Sequence, residues 1–140
     1  MDKRNEECWC GSGKKYKKCH QEQDERLREL EVKGIEVPSR YQIKSEADIE
    51  GIRRAGRITR QLLDMVGERI RPGITTEEVD QWVHEATLQQ GGIPAPLHYK
   101  GYPKSTCISI NECICHGIPS ERVLQEGDIV NVDITTIYQG

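Results

Sequence analysis

The chain has 140 residues and a mass of 16.0 kDa, which suits one modest domain or a small module beside part of another, and excludes a self-contained multidomain machine. Twenty Lys and Arg residues stand against 23 Asp and Glu residues, so the net charge of -3 gives no general argument for binding nucleic acid. No apolar stretch approaches the roughly 18 residues of a transmembrane helix, which predicts a soluble, cytoplasmic protein with no membrane partner. In that compartment the six cysteines are expected to be thiols or metal ligands rather than disulfides.

Four potential metal ligands lie close to the start of the chain. Cys8 and Cys10 are followed, after eight residues, by Cys19 and His20. Two pairs of soft or borderline ligands match the tetrahedral coordination of structural zinc, and a segment this short cannot fold around an apolar core. The spacing therefore predicts a zinc module over residues 1–22. The alternative is a disordered tail with incidental cysteines.

The segment between the two ligand pairs is cationic. Its four lysines surround Tyr16, and it contains no acidic residue; the lysines are Lys14, Lys15, Lys17 and Lys18. This composition predicts an acidic or phosphate-rich partner. A solvated loop, with Tyr16 packed on the zinc module, would explain the same composition equally well.

Two amphipathic helices are predicted after a charged linker or short helix over residues 23–43. Ser45 and Asp48 form the first capping box, and Thr75 and Glu78 form the second. The second helix is expected to end at Gly91 and the glycine that follows it. The stripe expected on the first helix comprises Ile49, Ile52, Gly56, Thr59, Leu63, Val66 and Ile70.

Strands are predicted in the last third of the chain. Residues 107–110 and 113–115 suggest two short strands joined by a turn, and residues 129–138 suggest a longer one. In the longer strand, alternation places Asp133 on one face with Asn131 and Thr135. A carboxylate in so apolar a strand indicates a metal ligand, although an ion pair at the sheet rim would satisfy it as well.

Other residues near these strands suggest a pocket. His116 follows a short apolar segment and precedes a glycine, so its ring can act at the lip of a pocket or serve a structural role. Tyr99, Tyr102 and Cys107 are candidates for the pocket wall, and ordinary packing beneath a loop is the alternative. A second zinc site formed by His116 with the neighbouring cysteines is disfavoured, because adjacent strand residues point in opposite directions.

From about residue 43 onward, the chain resembles the N-terminal half of a type I methionine aminopeptidase. The motifs that carry this resemblance include RAG, IRPGITTEE, GYPKS, CISINE, CHGIP and GDIVNVD, in that order along the chain. The cysteine cluster resembles the SEC-C zinc motif, in which Cys-x-Cys is followed after eight residues by Cys and then Cys or His. An N-terminal module of this type occurs in some bacterial members of the aminopeptidase family.

The resemblance implies an α+β architecture, the N-terminal half of the pita-bread (creatinase/aminopeptidase) fold, over residues 44–140. It places Asp133 on the first metal-binding aspartate and His116 on the histidine that hydrogen-bonds the substrate beside the scissile amide. It places Tyr99, Tyr102 and Cys107 in the pocket for the methionine side chain. Pro96 departs from the family pattern, since many bacterial relatives carry Cys there.

The activity implied by the resemblance is removal of the initiator methionine from new polypeptides when the next residue is small. Two divalent ions (Co, Mn, Fe or Zn) activate a water in that reaction, and one structural zinc is added by the N-terminal module. The family's other metal ligands have no counterpart in these 140 residues, so the chain alone is expected to be inactive. A monomer that docks on the ribosome through residues 14–18 is predicted. The alternatives are a zinc-dependent binding module without catalysis and a zinc module that only caps the enzyme.

Overall fold

The computed structural model describes residues 3–39 and 42–140 and divides the chain into two compact units, Met1–Ile49 and Glu50–Gly140. Helix α1 (Gln21–Val32) belongs to the first unit, although most of it falls in the stretch predicted as a linker. Helix α2 (Glu46–Arg69) begins just before the division. The boundaries after residues 22 and 43 stay predictions.

The first unit is small and has little apolar interior. Short 3₁₀ turns at Lys3–Asn5 and Tyr16–Lys18 flank a tight reversal in which the Cys8 N–H donates to the Lys14 carbonyl at 2.8 Å. Among its described residues, the buried side chains are Cys8 and Asp24. Apolar burial therefore contributes little to the stability of this unit.

Both predicted capping boxes are present. In α2 the Asp48 N–H donates to the Ser45 hydroxyl at 3.2 Å, and the Ser45 N–H donates to the Asp48 carboxylate at 2.8 Å. Helix α3 (Thr76–Gln89) has the same reciprocal pair between Thr75 and Glu78. Each box satisfies N–H groups that the first helical turn leaves without an intrahelical partner.

The stripe predicted on α2 is wrong in part. The buried residues of this helix are Ile58, Leu62 and Val66, which are spaced four apart, whereas Ile52 and Leu63 are 59% and 40% exposed. Adjacent apolar residues such as Leu62 and Leu63 allow two stripes about 100° apart, and the sequence alone does not choose between them. The sheet-facing contact of Thr59 is present, since its hydroxyl donates to Thr136 Oγ1 at 3.1 Å.

Among residues 3–39 and 42–140, four short strands form two antiparallel pairs. Strand β2 (Cys107–Ile110) pairs with β3 (Val130–Asp133), and β1 (Ile93–Pro94) pairs with β4 (Thr136–Ile137). The strand predicted at 113–115 is wrong, because those residues form an exposed loop. The strand predicted at 129–138 is split, because the chain leaves β2 after Asp133 and takes β1 as its new partner at Thr136.

The core of the second unit lies between α2, α3 and the β2–β3 pair. Val79 and Val83 of α3 are fully buried beside Leu62, and Ile108 of β2 closes the cluster with Ile134. Along β3 the burial alternates as predicted, with Asn131 and Asp133 exposed and Val130 and Val132 partly buried. In the described part of the chain, no helix is long and apolar enough to cross a membrane.

Candidate functional site

The four predicted zinc ligands converge in the first unit. Their ligand atoms all lie within 4.8 Å of one another. Cys10 Sγ lies 3.6 Å from Cys19 Sγ, and His20 Nδ1 lies 3.2 Å from the Sγ atoms of both Cys8 and Cys19. A tetrahedral zinc ion with bonds of about 2.0–2.3 Å separates its ligand atoms by about 3.5–3.8 Å. The donor set thus fits one zinc ion, and its spacing is within a few tenths of an ångström of tetrahedral coordination at the three distances given.

A polar and aromatic shell holds these ligands. The buried Asp24 carboxylate of α1 accepts hydrogen bonds from Trp9 Nε1 at 3.2 Å and from the Tyr16 hydroxyl at 2.9 Å. The Trp9 ring lies 4.6 Å from the His20 ring, centroid to centroid. Helix α1 therefore anchors the loops that carry the ligands, a role the sequence did not indicate.

The two thiols of the Cys-x-Cys pair have different environments. Burial raises the pKa of Cys8 above its ordinary value. The Ser12 hydroxyl lies 3.2 Å from Cys10 Sγ, and its hydrogen bond to the thiolate lowers the pKa of Cys10 to about 6. Deprotonated thiols are the form that binds zinc.

The cationic segment projects from the same unit. Its four lysines are exposed, whereas Tyr16 is partly buried and bonded to Asp24. Tyr16 therefore packs on the zinc module, as expected for a solvated loop. The lysines remain available to a partner; they are Lys14, Lys15, Lys17 and Lys18.

In the second unit, the five other predicted site residues line one open cavity of about 750 Å³. The cavity is bordered on one side by the loop after β1 and on the other by strands β2 and β3. Its volume is in the range of small-molecule sites, about 300–1,000 Å³. The five residues are Tyr99, Tyr102, Cys107, His116 and Asp133.

The strand register places two of these residues face to face. Cys107 of β2 is directly opposite Asp133 of β3, and Thr135, two residues further on, also lines the cavity. Asp133 is exposed, and within residues 3–39 and 42–140 no side chain or N–H group pairs with its carboxylate. The pairing at the sheet rim considered from the sequence is therefore not found among those residues.

His116 projects from a strained turn. Its φ angle is +57°, in the left-handed region that is uncommon for residues other than glycine. The Gly117 that follows is packed against β2, and its N–H donates to the Ser109 hydroxyl at 3.1 Å. The turn thus carries the imidazole to the edge of the cavity.

Helix α3 anchors the loop that carries the tyrosines. The buried Asp80 carboxylate accepts hydrogen bonds from the N–H groups of Ser105 and Thr106, at 3.0 and 2.8 Å, and from the Thr106 hydroxyl at 2.7 Å. Lys104 forms an ion pair with Glu77 of the same helix. These contacts fix the start of β2, and hence Cys107, relative to α3.

The Tyr102 hydroxyl is half-buried between the loop and the turn. It donates to the carbonyl oxygens of Thr106 and Gly117, at 2.9 and 3.0 Å. Burial raises the pKa of this phenol well above its ordinary value, so the group remains a donor. The sequence identified Tyr102 as a wall residue but gave no sign of this second role.

Several contributors were not predicted from the sequence. Asp80 and Ser109 act through contacts with residues 26 and 8 positions away, so no local pattern reveals them. Thr135 was placed on the Asp133 face by alternation but was not recognised as a wall residue. In the described part of the chain, the zinc-type cluster is the one grouping of three or more ligand side chains. Asp133 by itself does not make a dinuclear site, since each ion needs several ligands.

Two family models match the chain. Metallopeptidase family M24 matches residues 50–140, and the SEC-C motif matches residues 4–22. The first match covers the cavity of the second unit, and the second covers the four-ligand cluster. Both families named from the sequence motifs are confirmed.

Curated relatives that are similar along most of this chain carry methionine aminopeptidase names. The methionine aminopeptidase of Chlamydia muridarum is 43% identical over 147 aligned positions, covering 99% of this chain and 48% of that protein. Methionine aminopeptidase 1A of Arabidopsis thaliana is 52% identical over 99 positions, covering 71% of this chain and 25% of that protein. The chain thus spans from a quarter to about half the length of these curated relatives.

A solved structure gives the same likeness in three dimensions. The methionine aminopeptidase of Rickettsia prowazekii superposes with a TM-score of 0.67 at 43% identity, covering 69% of this chain and 39% of that one. Solved structures of this group have the pita-bread fold. The predicted α+β architecture is therefore confirmed for the second unit.

Proposed function

Since the chain belongs to metallopeptidase family M24, we propose that its function is to remove the N-terminal methionine from new polypeptides whose second residue is small. Similarity to methionine aminopeptidases along most of the chain supports this activity. The observation that carries the proposal is the single cavity lined by both tyrosines, Cys107, His116 and Asp133. Residues assigned separately from motifs along the sequence meet there in space.

The cavity supplies recognition of the methionine side chain. Tyr99, Tyr102 and Cys107 provide aromatic and sulfur surface, with which a thioether makes favourable contacts. Pro96 contributes to the same wall and leaves it apolar. A long, unbranched, uncharged side chain fits such a wall better than a charged one does.

His116 serves the polar end of the substrate. Its imidazole stands at the edge of the cavity and can hydrogen-bond the carbonyl or N–H of the peptide bond that follows the methionine. Because the ring projects from a turn held against β2, it presents that hydrogen bond in a fixed direction. We assign it as a catalytic and substrate-binding residue.

Asp133 is assigned as a ligand of the catalytic metal centre. Its carboxylate is a hard oxygen donor at the cavity and is unpaired among the described residues. Divalent ions supply Lewis-acid polarisation and an activated water to hydrolytic sites. Two ions, drawn from Co, Mn, Fe or Zn, are proposed for the complete centre, which needs ligands besides Asp133.

The four-ligand cluster of the first unit is proposed to hold a structural zinc through Cys8, Cys10, Cys19 and His20. All four coordination positions are filled by side chains, so the ion has no open position for substrate. Zinc binding would supply folding free energy on the order of 10 kcal/mol to a unit with little apolar interior.

The exposed lysines of residues 14–18 are proposed to dock the enzyme on the ribosome, close to emerging chains. Phosphate is the chemistry that four exposed ammonium groups suit best, and such binding weakens steeply with salt through counterion release. Cosedimentation of ribosomes with the K14Q/K15Q/K17Q/K18Q variant tests this. If the variant binds ribosomes as the wild type does, the lysines do not dock the enzyme, and the zinc module is only a structural cap. We also propose a cytoplasmic location, and we expect a monomer.

Asp133→Asn tests the proposed activity in the complete gene product. The intact mass of that product is measured before the assay. We expect release of methionine from a Met-Ala peptide, with cobalt, manganese or iron added, to fall at least about 100-fold, because a metal ligand is weakened. Asp64→Asn is the matched control, since Asp64 is an exposed carboxylate paired with Arg60 on α2, and it should leave turnover unchanged.

Two outcomes would contradict the proposal. If the wild-type protein fails to turn over with any of these ions, the aminopeptidase function is wrong and a non-catalytic zinc-dependent module takes its place. If Asp133→Asn retains wild-type turnover, the activity stands and the assignment of Asp133 fails.

A further inference from the structure

The backbone at His116 requires an explanation of its own. A residue other than glycine held at a φ angle of +57° costs on the order of 1–3 kcal/mol, and such a conformation persists only where the surroundings fix it. Residues 111–116 are exposed, so packing within this loop does not fix it. The residue that follows supplies a constraint.

Gly117 is held against β2 at very short range. A Cβ atom at this position would lie 2.1 Å from the Ile108 carbonyl oxygen and 2.9 Å from the Ser109 Cα. No side chain fits there, so the glycine allows the turn to lie directly on the strand. The φ angle of Gly117 is not in the left-handed region, which makes the requirement purely steric.

Both polar groups of Gly117 are bound. Its carbonyl accepts from the Ile108 N–H at 2.8 Å and from the Tyr102 hydroxyl at 3.0 Å. Its N–H donates to the Ser109 hydroxyl at 3.1 Å. A peptide group anchored on both sides fixes the position from which the preceding residue projects.

We propose that Ser109 is a positioning residue for His116: by binding the Gly117 N–H, its hydroxyl holds the strained turn that presents the imidazole to the substrate. The inference rests on the proposed function and adds a residue to it. Ser109 is 3% exposed and is not among the residues that line the cavity. Its hydroxyl binds the turn and not the cavity, so we expect its effect on turnover to pass through the turn.

Tyr102 takes part in the same anchor but gives a less direct test. Its ring lines the cavity, so a change at Tyr102 alters the pocket wall and the anchor together. Ser109 separates the two effects. Its replacement changes the chemistry of no wall residue and removes the acceptor of the Gly117 N–H.

The test compares Ser109→Ala with Ser105→Ala in the complete gene product. Ser105 is an equally buried serine, 2% exposed, whose hydroxyl bonds His84 at 2.8 Å on the other side of the loop. Both variants lose one buried hydroxyl hydrogen bond, so similar losses of stability are expected. Only Ser109→Ala should lower kcat for Met-Ala peptides, by about 10- to 100-fold with KM little changed, because the imidazole is displaced from the reacting bond.

A second readout does not depend on turnover. Hydrogen exchange at the Gly117 amide should quicken in Ser109→Ala and stay at the wild-type rate in Ser105→Ala. Equal losses of kcat in the two variants, or an unchanged kcat in Ser109→Ala beside faster exchange, would overturn the positioning role. Absence of turnover in the wild-type protein would overturn the proposed function and this inference with it, whereas the first two outcomes leave the aminopeptidase standing.

Discussion

Gly117 and Gly67 show how differently two glycines are used in this chain. A Cβ at Gly117 would lie 2.1 Å from the Ile108 carbonyl oxygen, whereas a Cβ at Gly67, within α2, would meet nothing within 4 Å. Neither has a φ angle in the left-handed region. The first glycine is therefore required by close packing, and the second only loosens a helix.

Gly117→Ala is expected to lower the free energy of unfolding by about 2–4 kcal/mol, because the turn must move off β2 to admit the methyl group. Urea denaturation measures the loss. Gly67→Ala, the matched control, should raise stability by about 0.5–1 kcal/mol through helix propensity. A neutral Gly117→Ala would mean that the turn does not rest on Ile108.

Two kinds of sequence information predicted the candidate-site residues: the spacing of ligand side chains and the resemblance to a family. The four zinc-type ligands follow from their spacing, because a short segment with four such donors has few other uses. The cavity residues around His116 were identified through the resemblance to a family, and local patterns left plain structural alternatives open for each of them. Neither kind of information identified Ser109 or Asp80, since their roles exist only once distant segments meet.

At the scale of elements, local signals predicted what local interactions determine. The starts of α2 and α3 follow from reciprocal bonds between residues three apart. The strands depend on distant partners, which local signals do not reveal. The sequence therefore predicts a strand at 113–115, where the structure has an exposed loop, and it does not predict the break after Asp133. The break occurs where pairing passes from β2 to β1, which no stretch of the sequence by itself encodes.

The capping box of α3 makes its stability depend on pH. The Thr75 N–H and hydroxyl donate to the Glu78 carboxylate at 2.7 and 3.0 Å, and these bonds hold the pKa of Glu78 below its ordinary value. The stabilisation is therefore fully present above the ordinary Glu pKa of about 4.3 and is lost as the pH falls through the lowered value.

Glu78→Gln should destabilise the chain at pH 6, and the difference from wild type should shrink as the pH falls below about 4. Urea denaturation at both pH values provides the comparison. The wild-type carboxylate becomes protonated in acid and loses its advantage over the amide. A difference that stays constant down to pH 3 would show that the charged form of Glu78 contributes nothing.

At the scale of the whole molecule, the two units are stabilised by different means. The apolar core lies in the second unit, in the cluster that includes Leu62, Val79 and Val83. The described part of the first unit buries Cys8 and Asp24 and brings four donor atoms together. Metal binding is thus proposed to stabilise the first unit, whereas apolar burial stabilises the second.

Removal of the zinc that we propose for the first unit is therefore expected to unfold that unit alone. After treatment with a chelator, hydrogen exchange should become fast in α1 and stay slow in α3, because the α3 core contains no metal ligand. Cys19→Ser should reproduce the effect without a chelator, and Cys113→Ser, which changes an exposed thiol outside the cluster, should not. Equal loss of protection in both helices would show that the units are not independent.

The loop of residues 111–116 is fastened at its base and exposed at its tip. Gly117 is bound to Ile108 and Ser109, whereas Ile114 at the tip is 94% exposed. Sequence change can therefore accumulate at the tip without disturbing the histidine at the base. The same separation makes the exposed Cys113 thiol an attachment point for a fluorophore that reports on the tip of the loop.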